Sequence, residues 1–276
     1  MRERAPREGR VAAAVLAALA VVAAGGVARA YEWFATKETQ RPERWFREAL
    51  TVRVSTVAPA EVPWETMEAL YEEALGSWLD LPGCRLPQVD VVGTVDAADV
   101  TLPKTVDDEP DNLVVFIEDG DTWLAHEGAT NSMIALTFVV ANSVTGEIID
   151  ADIAVNDAAF AFTTSDDATS GVDLLSTFTH ELGHFFGLDH SADPSATMVY
   201  DYGSSPSRRL QARTLEDDDI DGVCALYEVP LPEPPPSASP GEGCGGCAGG
   251  GSGGLVFDAL MTLCVIFACR RRARSV

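Results

Sequence analysis

Apolar and polar positions change their period several times along this chain, and each change marks an element. Residues 50–56 (LTVRVST) alternate and are rich in β-branched side chains, which predicts a strand. Pro63 then precedes residues 64–81, where Trp64, Met67, Leu70, Tyr71, Leu75 and Trp78 recur at helical spacing with Glu65, Glu68, Glu72 and Glu73 between them. That is an amphipathic helix packed on a sheet, stopped by Pro82-Gly83. Residues 89–102 contain a strand, and the uninterrupted apolar run 113–117 (LVVFI) reads as one covered on both faces. Residues 134–140 (IALTFVV) give another, and Thr145-Gly146 turns the chain into residues 148–155, where Asp150 and Asp152 alternate with apolar partners. These two segments read as a hairpin. Asp173 is placed to cap a helix whose core face is Leu174, Leu175, Phe178 and Leu182, and a last helix runs from Leu215 or Glu216 to Tyr227. Strand, helix, several strands, helix, helix is an α/β or α+β order, with no internal repeat.

The two ends follow different rules. Arg2, Arg4, Arg7 and Arg10 precede a charge-free apolar run at 11–27, and Ala28-Arg29-Ala30 is a small-x-small cleavage site. Residues 1–30 therefore read as a secretory signal peptide with Tyr31 as the first mature residue, an uncleaved membrane anchor being the alternative. Either one exports the domain spanning 31–228. Residues 229–254 form a Pro- and then Gly-rich linker that contains Cys244-Gly-Gly-Cys247 and cannot build a core. Residues 255–276 are an apolar segment ending in Arg270, Arg271, Arg272 and Arg274. Its apolar part is short for a transmembrane helix, although the basic end fits transient insertion.

Composition narrows the partners. The formal charge is −24, and the basic residues concentrate at the two ends, so the middle is strongly acidic. Such a surface repels phosphate backbones and excludes nucleic acid as a partner. It also suits calcium: Asp150, Asp152 and Asp157 are either part of a Ca2+ site or simply the solvent face of a strand and its loop. Of six cysteines, four lie in the tail, leaving Cys84 and Cys224 in the body. A single pair in an exported domain is expected to be a disulfide.

The chemistry lies in His180-Glu181-Leu182-Gly183-His184-Phe185-Phe186-Gly187-Leu188-Asp189-His190. Residues four apart share a helix face, so His180 and His184 can offer nitrogens to one ion. Glu181 sits to the side, where a metal-bound water would be. Gly187 can take the left-handed conformation that ends the helix and turns the chain back, which brings His190 in as a third ligand. Three protein ligands leave a position open for water, the catalytic form of a zinc site. Three of the chain's four histidines stand in these eleven residues. Glu181 is the expected general base and acid for hydrolysis by a metal-bound water.

The pattern H-E-x-x-H-x-x-G-x-x-H resembles the metzincin metallopeptidases. Ser195-Ala196-Thr197-Met198 is similar to the Met-containing turn beneath their zinc, and Ser191 after the third His is the choice of the matrixins. Thr145 to Ile153 before Asn156, and Asp218-Asp219-Ile220-Asp221-Gly222 leading to Leu226-Tyr227, resemble matrixin-like secreted bacterial proteins. The resemblance covers about residues 45–228. It implies a twisted, mostly parallel sheet with an antiparallel edge strand, an active-site helix and a C-terminal helix. It further implies one catalytic Zn2+ on His180, His184 and His190, Met198 as a floor under the metal, and an extended peptide or protein substrate added along the edge strand near 135–139. Tyr200 reaches the reacting groups, as in some metzincins, or only lines the pocket wall. A matrixin cysteine switch would precede the domain, whereas Cys84 follows the first strand and helix. With only His126 to spare, no second zinc is expected. The C-terminal order of Cys-Gly motif, apolar segment and Arg cluster resembles the MYXO-CTERM sorting tail; a plain membrane anchor and a CxxC metal or redox site are the alternatives. The expected product is a monomer at the cell surface, in the outer membrane or released outside the cell, touching membrane only through the tail. A binding or adhesion module on an inactive peptidase fold is the competing function, and intact Glu181 and histidines argue against it.

Overall fold

A computed structural model describes residues 29–95, 102, 112–167, 171–201, 209–231 and 260–263. The strands are β1 (Arg44–Trp45), β2 (Ala49–Ser55), β3 (Gln88–Val95), β4 (Asn112–Ile117), β5 (Ala135–Ala141), β6 (Glu147–Asn156), β7 (Phe162–Thr163), β8 (Val172–Asp173) and β9 (Leu260–Leu263). The helices are α1 (Trp64–Leu79), α2 (Gly120–Ala125), α3 (Leu174–Phe185) and α4 (Asp217–Glu228), with one 3-10 turn at Gln211–Arg213.

The main sheet runs β3-β2-β4-β6-β5-β9, and β1 pairs with β6. The β1–β6, β2–β3, β2–β4 and β4–β6 pairs are parallel; β5 is antiparallel to β6 and β9 is antiparallel to β5. This is the α/β architecture, mainly parallel, that the periodicity and the resemblance imply. In β4 every residue is buried. Val114 and Phe116 join the core that holds α1 and α3, while Leu113, Val115 and Ile117 join a second core around Trp123 of α2. Two-sided burial explains why this strand reads as a continuous apolar run.

Two features depart from the sequence reading. Asp150 and Asp152 are buried rather than on a solvent face. Asp152 is occupied in accepting the Leu113 N–H at 2.9 Å, where a ladder carbonyl would otherwise serve. Within the apolar C-terminal segment 255–276, Leu260–Leu263 is extended on the outer edge of β5, opposite Phe138–Ala141, so β5 is not the outermost strand. An uncovered edge presents unpaired N–H and C=O groups, and another strand satisfies them. Among the described residues no helix is long and apolar enough to cross a membrane. Residues 1–28 of the segment 1–30 expected to be a signal peptide, most of the expected linker 229–254 and most of the expected sorting segment 255–276 lie outside the described residues.

Cys84 and Cys224 are joined in a disulfide, with Cα atoms 4.9 Å apart. It ties the loop after α1 to α4 across 140 residues of sequence. A bonded Cys84 has no thiolate to offer a metal, which removes the switch reading.

Candidate metal centre and active site

Helix α3 carries the site, and all twelve of its residues are buried. Such a helix needs its polar groups satisfied internally. Asp173 caps it by accepting the Ser176 N–H at 2.9 Å, and the Arg213 guanidinium grips the same carboxylate with two bonds of 2.9 and 2.5 Å. Thr177 and Thr179 donate their hydroxyls back to the carbonyls of Asp173 and Leu175. From α1, Trp78 Nε1 donates to the Thr179 carbonyl at 2.9 Å, one residue before His180.

The helix ends as the glycine requires. Gly187 has φ +103°, and its N–H returns to the His184 carbonyl at 2.9 Å. A Cβ there would run into the Glu43 carbonyl. The last carbonyls are taken by aromatic donors: Trp45 Nε1 reaches Phe185 O at 2.8 Å and Tyr227 Oη reaches Phe186 O at 3.1 Å. The chain then runs beside residues 30–34. Phe34 N donates to Gly187 O, Asp189 N to Glu32 O and Ala192 N to Ala30 O, at 2.9–3.0 Å. That lacing fixes the loop from which His190 projects.

His180, His184 and His190 each present a ring nitrogen, all within 4.8 Å of one another. His180 Nδ1 meets the Thr197 carbonyl at 2.7 Å and His184 Nδ1 meets the Leu188 carbonyl at 2.8 Å. A carbonyl only accepts, so each Nδ1 carries the proton and each Nε2 is unprotonated, with its lone pair available. Those two Nε2 atoms stand 3.0 Å apart. Facing lone pairs repel, and a cation between them relieves this; tetrahedral zinc ligands stand about 3.4 Å apart. His190 Nε2 is buried without a hydrogen-bond partner. Burial also keeps the rings neutral: it is the main cause that lowers His180 to about 3, His190 to about 4 and His184 well below its ordinary value. Neutral imidazoles are what a metal needs. Among the described residues, this is the group of three or more His, Cys, Asp or Glu side chains gathered tightly enough to hold an ion, and its donor set fits zinc.

Glu181 is fully buried beside the histidines. Its Oε2 accepts the Thr137 hydroxyl of β5 at 2.5 Å, and its Oε1 has no partner. Burial raises its carboxyl to about 8, and the Thr137 hydroxyl opposes the rise. Met198 is buried under the helix, where a Cβ on Gly183 would strike its sulfur. The Tyr200 ring stands edge-on to His190 at 5.0 Å between centroids and is 39% exposed, at the wall of the site.

Two residues of the motif 218–222, to which pattern reading assigned no role, shape the site from α4. Asp219 accepts main-chain N–H groups of Thr197 (2.8 Å), Met198 (3.0 Å) and Glu216 (2.9 Å), clamping the Met turn. Asp218 accepts the Ser191 hydroxyl at 2.6 Å and the main-chain nitrogens of Ala30 and Tyr31 at 3.1 and 3.2 Å. The acidic run 217–221 is visible in sequence, but only the fold separates the clamping carboxylates from the solvated ones. The three aspartates considered for calcium do not gather. Asp157 instead faces Glu118 and Glu61, and burial together with those charges raises it to about 6. His126 belongs to the end of α2, with its ring against Trp123 and Phe138.

Comparison with known proteins agrees with this geometry. The chain is 28% identical to mouse stromelysin-1 over 191 residues, covering 69% of this chain and 34% of that protein. It is 28% identical to human neutrophil collagenase over 221 residues, covering 80% of this chain and 40% of that one. A shorter stretch of 63 residues is 40% identical to human matrilysin, covering 23% of this chain and 22% of that protein. The chain thus spans well under half the length of these relatives. Residues 44–228, more than half of the chain, match the matrixin family of peptidases, and the chain belongs to that family.

Proposed function

We propose that this domain is a zinc-dependent endopeptidase, with His180, His184 and His190 as the metal ligands and Glu181 as the general base and acid. One observation carries the reading: the ring nitrogens of His180, His184 and His190 converge within 4.8 Å of one another, while Glu181 holds an unpartnered oxygen beside them. Bound zinc would lower the pKa of a coordinated water and polarise the scissile carbonyl. The chain's own part is to hold that geometry. The Thr197 and Leu188 carbonyls fix the ring tautomers. Glu181 takes a proton from the attacking water and hands it to the leaving amine. Its raised pKa suits both halves of that task.

The substrate is an extended peptide laid along the outer edge of β5, in place of Leu260–Leu263 opposite Phe138–Ala141. Support comes from the antiparallel pairing of Leu260–Leu263 with that strand, since an edge that takes one strand is competent for another. Gly187 and Met198 support the site, and Tyr200 forms part of its wall. The protein works outside the cytoplasm, released or held at the surface through its tail.

The test is zinc content and cleavage of a mixed peptide library by the purified protein beside Glu181→Ala. One zinc per chain in both, with cleavage in the parent only, is the expected result. Equal cleavage by the two proteins would overturn the assignment of Glu181.

A further inference from the structure

We propose that Thr137 is a positioning residue that aims Glu181 at its water. This rests on the peptidase reading above and assigns a new part within it. Thr137 lies in the middle of β5 opposite Ile153 of β6, and its side chain points to the face covered by α3. It is fully buried. Its Oγ1 lies 2.5 Å from Glu181 Oε2 and 3.3 Å from the Glu181 carbonyl oxygen. A hydroxyl has one proton to give, and the much shorter contact assigns it to the carboxylate.

The arrangement divides the two oxygens of Glu181. Oε2 is anchored to the strand and Oε1 is left without a partner. A glutamate on a helix has free torsions that would let its carboxyl swing, and an anchor on a separate rigid element removes that freedom. The anchor sits on the strand along which the substrate is proposed to lie, so one element registers both the peptide backbone and the base. Valine at this position would keep the shape and the β-branched preference of the strand while removing the bond, so packing alone does not call for a hydroxyl.

The experiment compares Thr137→Val, Thr137→Ser and Thr137→Ala with the parent and Glu181→Ala, each as full-length zinc-loaded protein. Misplacing a catalytic group by a fraction of an ångström to about 1 Å costs up to about a hundredfold. Thr137→Val is expected to lower kcat roughly ten- to a hundredfold, with KM and zinc content unchanged, while Thr137→Ser retains kcat within about threefold of the parent. If the valine variant does not fold, serine against alanine, which differ by the hydroxyl alone, decides the matter. Equal kcat in that pair overturns the proposal. So does a loss confined to KM, or a serine variant as impaired as valine. A parent that cleaves nothing sinks the peptidase reading and this proposal together, whereas an active parent with an active Thr137→Ala sinks only this one. A readout without metal is the Thr137 hydroxyl proton in NMR of the metal-free protein. It should exchange slowly and disappear in Glu181→Ala; a fast-exchanging hydroxyl would refute the anchor.

Discussion

Asp219 accepts the main-chain N–H of Thr197 at 2.8 Å, and the carbonyl of that same Thr197 meets Nδ1 of His180 at 2.7 Å. A carboxylate on α4 therefore sets the orientation of an imidazole on α3 through one residue, Thr197. Asp219→Ala removes an acceptor from the buried N–H groups of Thr197 and Met198 and from the half-buried one of Glu216. We expect zinc affinity to fall about ten- to a hundredfold, the range for lost outer-shell partners. Stability should drop by about 3 kcal/mol or more, because buried donors are left unsatisfied. Competition with a chelator and thermal unfolding measure the two effects; unchanged chelator resistance would mean the relay is not felt at the metal.

The pH dependence of the metal-free protein has two opposing parts. The three histidines have lowered folded values, so the unfolded chain takes up protons that the folded one refuses. Stability should fall as pH drops below about 6.5, the ordinary histidine value, continuing towards about 4 and then 3 for His190 and His180. Glu181 is raised to about 8 from 4.5, so it is the folded state that holds the extra proton between those values. Its contribution is present below 4.5 and is lost as pH rises to 8. Glu181→Gln removes that loss. We expect the variant to exceed the metal-free parent in stability on the order of 3 kcal/mol at pH 8 and above, and to match it near pH 4. Urea midpoints across that range give the comparison.

Gly183→Ala separates helix propensity from packing. In an open helix the change stabilises by about 1 kcal/mol. Here the new methyl would collide with the Met198 sulfur and approach Trp78. Overpacking a dense core costs about 1–3 kcal/mol, so we expect a net loss of stability. A higher melting temperature in the alanine variant would show that Met198 yields freely.

Cutting the Cys84–Cys224 bridge should cost about 2–5 kcal/mol, since it closes a loop of 140 residues. The double Cys→Ser variant, followed by denaturant unfolding, tests this; a loss below about 1 kcal/mol would mean that α4 is held by packing alone.

The elements with strong periodicity were legible from sequence. Trp64 to Trp78 bury Met67, Tyr71, Leu75 and Trp78 on one face, as their spacing indicates. Asp173 caps α3, and Gly187 takes the positive φ that returns His190. What sequence hid falls into two kinds. Short elements such as β1 and α2 carry too few apolar positions to make a period, and α2 buries only Trp123. Residues whose part depends on a distant partner carry no local sign. Thr137 looks like any β-branched strand residue until Glu181, 44 residues on, is placed above it. Asp150 and Asp152 look solvated by alternation, yet the second core covers their face.

The lacing of residues 30–34 to the His190 loop, and of that loop to α4, also orders events during synthesis. The three proposed ligands leave the ribosome before Asp218 and Asp219 exist to hold the loop and the Met turn around them. The stretch at 30–34 must wait for the same moment, because its partners are Gly187 to Ala192 and Asp218. A nascent chain therefore carries its histidines as separate, weakly chelating side chains, and high metal affinity arises only when nearly all of the domain has been made.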